Sequence, residues 1–138
     1  YGAERRSTGA AVGGLRERWL ADRPRHERLF DRVADVVAAG IAAIERGDAR
    51  ALGAAFDANQ AVLAELEVSS DAIERQVQAA REAGAYGAKL TGGGAGGAIV
   101  AVAADADAVA RRLEREGRTV LRVALGPDAA AADMQNTL

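Results

Sequence analysis

A chain of 138 residues with a net charge of −2 and 28% charged side chains of mixed sign can build one domain around one real core. It offers no basic stripe for nucleic acid and no polybasic patch for anionic lipid. The lack of cysteine excludes disulfides and thiol nucleophiles and suits a reducing cytoplasm, the expected location; no apolar run is long enough to span a membrane and no signal-peptide pattern opens the chain.

Tyr1-Gly2-Ala3-Glu4 reads as the end of a strand cut from something longer, so the chain is read as a fragment. Ser7 and Thr8 can cap a first helix with Val12, Leu15 and Trp19 on its apolar stripe, which stops at Asp22-Arg23-Pro24. Pro24 suits the first turn of a second helix, where Leu29, Phe30, Val33, Val36, Val37, Ile41 and Ile44 recur at helical spacing up to Gly47-Asp48. A third helix is predicted from Asp48 to about Leu66, with Leu52, Phe56, Leu63 and Leu66 on one face. Ser69-Ser70-Asp71 caps a fourth carrying Ile73, Val77 and Ala80, which closes at Gly84. The period then becomes extended: a strand over 88–91, a glycine loop over 92–97 and a second strand over 98–103. A short helix capped by Asp105 with Val109 and Leu113 inward follows, then a third strand over 118–125. After Gly126-Pro127 the alanine-rich tail reads as weakly ordered. Helices followed by a strand–loop–strand–helix–strand module make an α+β arrangement, with about four strands if the start supplies one.

Five of the six positions 92–97 are glycine. Such a backbone can turn its N–H groups inward around an anion. Lys89, at its entry, is the single lysine beside seventeen arginines, which points to a position where a compact point charge is wanted. Gly92-x-Gly94-x-x-Gly97 satisfies the dinucleotide fingerprint as a string, but a strand follows it where that fingerprint needs a helix. A Walker A loop is excluded because no Gly-Lys-Ser/Thr follows. A plain hairpin turn would need only one or two glycines.

Little else carries chemistry. His26, the sole histidine, falls in the first turn of an amphipathic helix and reads as a solvated surface residue. Ser69 and Ser70 are explained by capping. No serine–histidine–acid set and no strand-borne pair of acids for Mg²⁺ can be assembled, so no metal ligand is assigned. Asn59-Gln60, two amides inside an apolar-periodic helix, reads as either a buried hydrogen-bond anchor or a ligand contact.

Gly87-Ala88-Lys89-Leu90-Thr91-Gly92-Gly93-Gly94-Ala95-Gly96-Gly97 resembles the third signature motif of the GHMP small-molecule kinases, in the form carried by mevalonate kinases. Arg6-Ser7-Thr8 with Val12 and Arg16 resembles the threonine-led helix that opens their C-terminal domain. Gly47-Asp48, Asn59-Gln60 and Leu63 through Ser69 resemble its central helix pair and following turn. The likeness runs from about Gly2 to Val102 in the family's order. Ala95 replaces a usual glycine, Ala98 a usual cysteine, and Glu67 a common glycine in a turn.

The resemblance implies a ferredoxin-like C-terminal domain over residues 1–126, its first strand truncated, with the tail at 127–138. It implies an ATP-dependent kinase transferring the γ-phosphoryl to the primary hydroxyl of mevalonate in isoprenoid-precursor synthesis. Lys89, Thr91, Gly92, Gly93, Gly94, Ala95, Gly96 and Gly97 would border the phosphate path, and Thr8 would lie at the substrate end of the cleft. The catalytic base and the Mg²⁺ ligands would come from an N-terminal half that these residues do not include, so no catalytic residue is assigned and the chain alone is expected to be inactive. Sister kinases acting on phosphomevalonate or homoserine, or a mevalonate 3-kinase, share much of the pattern. The alternatives of a different class are a stand-alone anion-binding or regulatory module and a purely structural interaction domain. A stand-alone chain of either kind would be expected to dimerise over the face left bare or to show altered surface residues there.

Overall fold

The structure, a computed structural model, describes residues 8–92 and 97–123, the side chains of residues 8–11 excepted. In chain order it contains α1 (Thr8–Ala21), α2 (Arg23–Glu45), α3 (Ala49–Glu65), α4 (Asp71–Glu82), β1 (Gly87–Leu90), β2 (Ile99–Val102) and α5 (Ala106–Arg115). Local chemistry sets the helix starts. The side chains of Asp22, Asp48, Ser70 and Asp105 accept the backbone N–H of Arg25, Ala51, Ile73 and Ala108 at 3.1, 2.9, 3.4 and 2.8 Å. Each such cap stabilises its helix by about 1 kcal/mol. Pro24 lies in the first turn of α2, where its missing N–H costs nothing.

α3 is the central element, packed on α2 along one side and on β1 along another. Leu29, Val62 and Leu66 form one buried cluster, joined by Leu15, Val33 and Val68. Ile73, Val77 and Ala80 of α4, Ala88 and Leu90 of β1, and Val109 and Leu113 of α5 form the other. The arginines of α1 and α2 close the end of α3: Arg18 Nη2 donates to Leu66 O at 3.0 Å and Arg25 Nη2 to Glu65 O at 3.1 Å. Cations on the orphan carbonyls of a helix C-terminus satisfy both their hydrogen bonds and the dipole.

Two expectations about the helices fail in the packing. Of the α2 stripe, the described residues cover Leu29 and partly cover Val33 and Val36, but Phe30, Val37, Ile41 and Ile44 are exposed, as is Val12 on α1. The four α2 residues lie on the flank next to its core face, so helical spacing alone does not separate them from buried neighbours. His26, read as solvated, is 2% exposed, with Nδ1 2.8 Å from Asp22 O. α1 packs on α2, and helical spacing alone does not distinguish a first-turn residue covered by a neighbouring element from a solvated one.

β1 and β2 form an antiparallel hairpin with Gly87 opposite Val102 and Leu90 opposite Ile99. The α+β class holds, but the sheet has two strands among the described residues rather than about four. The predicted third strand is irregular over 118–123. Val120 packs against the α4–β1–α5 cluster, but Leu121 and Val123 are 88% and 78% exposed, so little apolar burial rewards a ladder there. Ion pairs from Arg122 to Asp107 and Glu114, both at 3.1 Å, hold the segment along α5 instead. The strand fragment expected at Tyr1–Glu4 and the tail at 127–138 lie outside the described residues.

The free edge of β1 faces α3. Gly53 and Gly87 let the two backbones touch: a Cβ on Gly53 would lie 2.5 Å from Tyr86 Cβ, and one on Gly87 would overlap the carbonyl oxygen of Gly53. Further along, Asp57 Oδ1 accepts the N–H of Ala88 at 2.9 Å and Gln60 Oε1 that of Leu90 at 2.8 Å. Two α3 side chains thus take the place of a neighbouring strand. Glu67, in the α3–α4 turn, has φ 58°, left-handed backbone that costs an L residue roughly 1–2 kcal/mol.

Two substitutions should shift the melting temperature in opposite directions. Gly53→Ala pushes backbone against backbone and should cost about 2–3 kcal/mol, lowering Tm by roughly 10 °C. Glu67→Gly relieves the strained turn but adds unfolded-state entropy, for a net gain of up to about 1 kcal/mol. Thermal unfolding by circular dichroism checks both; a neutral Gly53→Ala would contradict the close approach.

Candidate functional site

The site grows out of the end of β1. Ala88 and Leu90 point into the core, so alternation sends Lys89 to the opposite sheet face, beside its cross-strand partner Val100. Val100 is 39% exposed. Beyond Leu90 the chain leaves the sheet. Thr91 is exposed and its N–H donates to Ala98 O at 3.1 Å. Gly92 and Gly97, at φ 76° and 82°, turn the chain through left-handed conformations that favour glycine. Lys89, Thr91, Gly92 and Gly97 are therefore brought together at one mouth. Gly93, Gly94, Ala95 and Gly96 lie outside the described residues. Thr8 opens α1, which packs on α2; its side chain is not among those described.

Lys89 is half-buried and its Nζ donates to Leu90 O at 2.8 Å. No described carboxylate pairs with it. Burial without a counter-charge disfavours the ammonium and lowers its pKa below the ordinary 10.5. An ammonium has three donors, so the bond to Leu90 leaves two for an incoming anion. The group thus combines a positive charge that no described acid compensates with spare donors, at the rim of a glycine segment.

Behind the mouth stands a polar network. Gln60 is 2% exposed. Besides holding Leu90, its Nε2 donates to Glu74 Oε1 at 2.7 Å and to Ser69 Oγ at 3.0 Å. Gln60 is thereby an anchor, one of the two roles the sequence left open. Ser69, read as a cap, is instead a partner of this amide; Ser70 alone caps α4. Asp57, which the sequence did not single out, also accepts both Arg81 Nε at 2.9 Å and Arg81 Nη2 at 2.8 Å. Its signal was available: Gly53, Asp57 and Gln60 recur at i, i+4 and i+7 on one helix face.

A groove of about 500 Å³ lies elsewhere, between α2 and α3, lined by Val36, Arg46 and small alanine side chains. It presents no convergent polar groups and no hairpin residue. Among the described residues no cluster of three or more histidines or acids could hold a metal ion, and no helix is long and apolar enough to cross a membrane.

Because native Lys89 sits below its unfolded pKa, the folded state binds fewer protons in the interval ending at 10.5. Stability attributable to this residue should therefore rise with pH across that interval. As the single lysine, Lys89 can be followed by NMR of its side chain without ambiguity. Its midpoint should fall below 10.5 in phosphate-free buffer and move upward with saturating inorganic phosphate. An ordinary midpoint, indifferent to phosphate, would contradict the site.

Comparison with known proteins adds a family and three relatives. The family model "GHMP kinases C terminal" matches residues 41–119. A mevalonate kinase of Aeropyrum pernix is 49% identical over 70 residues, 50% of this chain and 22% of that protein. A galactokinase of Streptomyces coelicolor is 43% identical over 77 residues, 54% of this chain and 20% of that protein. The crystal structure of L. major mevalonate kinase in complex with R-mevalonate superposes with a TM-score of 0.76 at 32% identity, covering 81% of this chain and 35% of that one. The chain thus spans between a fifth and about a third of the length of these relatives.

Proposed function

The chain belongs to the family of GHMP kinase C-terminal domains, and on that premise we propose that it forms the C-terminal half of an ATP-dependent kinase that phosphorylates the primary hydroxyl of mevalonate. The observation that carries the reading is the hairpin mouth: a lysine without a described counter-charge and an exposed Thr91 at the rim of a glycine segment. In phosphoryl transfer the protein mostly positions groups and stabilises charge. Backbone N–H groups of the glycine segment beyond Thr91 would donate to phosphate oxygens, the exposed Thr91 side chain would border the same path, and Lys89 would supply a compact cation. None of these needs a proton to move. Thr8 would contact the alcohol at the other end of the cleft.

The described residues do not fit Mg²⁺, since no acid cluster is present among them. On this reading the metal ligands and the base that accepts the hydroxyl proton belong to an N-terminal half, the partner this domain closes against. The cytoplasm, which supplies ATP, is the location the reading requires.

Mevalonate is favoured over sister alcohols by the Lys89-Leu90-Thr91 lead and the Thr8 helix. The galactokinase relative makes the substrate a question for measurement. Turnover of the full-length gene product should be highest with mevalonate when phosphomevalonate, homoserine and galactose are assayed beside it. A preference for another alcohol would move the assignment within the family. No turnover of any, together with a rise in melting temperature on adding phosphate, would favour an anion-binding module without catalysis.

Gly94→Val should abolish turnover while leaving the helical circular dichroism unchanged, because its side chain intrudes on the phosphate path. Normal activity in that variant would remove the loop from the site.

A further inference from the structure

Leu90 is the last residue of β1, and its peptide groups are held from two sides. Its N–H is bound by Gln60 Oε1 at 2.8 Å and its carbonyl by Lys89 Nζ at 2.8 Å. Gln60 cannot shift to suit, because its amide nitrogen is fixed by Glu74 at 2.7 Å and by Ser69 at 3.0 Å. These partners also settle its orientation: the Leu90 N–H requires an acceptor and the Glu74 carboxylate requires a donor. The residue is 2% exposed, so solvent offers no substitute partner. One glutamine therefore links the start of α4 to Leu90, whose own carbonyl holds Lys89 Nζ and whose next residue is Thr91.

We propose that Gln60 is a positioning residue for phosphoryl transfer, holding the end of β1 so that the Lys89 ammonium faces the phosphate, and the glycine segment leaves from Thr91, in a fixed geometry. The proposal rests on the kinase reading of the site. It predicts a defect in the chemical step rather than in substrate binding, since a displacement of about 1 Å in a positioned group can cost roughly 100-fold in rate.

The test uses the full-length gene product and three variants. Gln60→Met keeps the length of the side chain and removes both hydrogen-bonding functions. Gln60→Glu keeps the acceptor for Leu90 but sets a second carboxylate against Glu74. The double variant Gln60→Glu/Glu74→Gln exchanges donor and acceptor, so that the carboxylate now on α3 accepts from both the Leu90 N–H and the amide now on α4. Each single variant should lower kcat with ATP and mevalonate by about tenfold or more, with KM for each changed by less than about threefold. The double variant should recover kcat to within about threefold of wild type, a rescue that loss of bulk packing would not give. If Gln60→Met fails to fold, the comparison of Gln60→Glu with the double variant carries the test.

Amide hydrogen exchange supplies a readout that needs no substrate. Thr91 should exchange faster in the single variants, Val109 and Leu113 of α5 should not, and the double variant should restore Thr91. Wild-type kcat in a single variant, or a double variant as slow as the singles, would overturn the positioning role. If the wild-type protein phosphorylates no mevalonate, the kinase reading fails by itself. Exchange then decides whether Gln60 holds the mouth, and unchanged protection at Thr91 would overturn that too.

Discussion

Everything at the glycine mouth depends on how α3 closes the free edge of β1. A two-stranded hairpin is marginal alone, and its outer edge carries N–H groups that must find partners when buried. Here the partners are side chains. Asp57 and Gln60 take the N–H groups of Ala88 and Leu90, and Gly53 meets Gly87 backbone to backbone. Arg50, whose guanidinium lies 4.4 Å from the Tyr86 ring centroid, adds a contact at the same seam. Leaving either N–H unsatisfied would cost about 1–3 kcal/mol, enough to loosen a four-residue strand.

The two side chains are themselves held. Arg81 reaches Asp57 from α4, and Glu74 with Ser69 reaches Gln60 from the start of α4 and its preceding turn. The hairpin is thus fixed from the helices outward, whereas the glycines beyond Thr91 have no side chains to fix them. On the proposed reading, a rim held this firmly beside a glycine-rich sequence suits a site that must place donors around an anion without filling the space the anion needs. Lys89 fits the same logic. Its burial lowers its pKa, and on the proposed reading an incoming phosphate would supply the counter-charge that no described acid provides.

The sequence made the helices legible because their signals are local: Asp22, Asp48, Ser70 and Asp105 act within three residues of themselves. The hairpin was legible from the change of period and the glycine density. Glu67 was visible through its substitution for a common glycine, and its positive φ explains why glycine is common there. The third strand failed because the apolar residues Val120, Leu121 and Val123 say only that a strand could form, not that a neighbour exists. Phe30, Val37, Ile41 and Ile44 share the periodicity of buried residues, yet the described chain leaves them in solvent. Ser69 was misread because its partner Gln60 lies on a different element. His26 was misread because its burial comes from tertiary packing, although its hydrogen-bond partner, Asp22 O, is only four residues away. Asp57 looked like any helix carboxylate; only the position of β1 turns it into a backbone acceptor.

The central claim, that α3 side chains stand in for a neighbouring strand, is tested most directly by amide hydrogen exchange on the unmodified chain. Among the described residues Ala88 and Leu90 have no strand partner for their N–H groups, so a bare edge would exchange them as fast as a loop. The account predicts protection of both comparable to the buried α4 amides of Val77 and Ala80. Rapid exchange at Ala88 and Leu90, with α4 still protected, would contradict it.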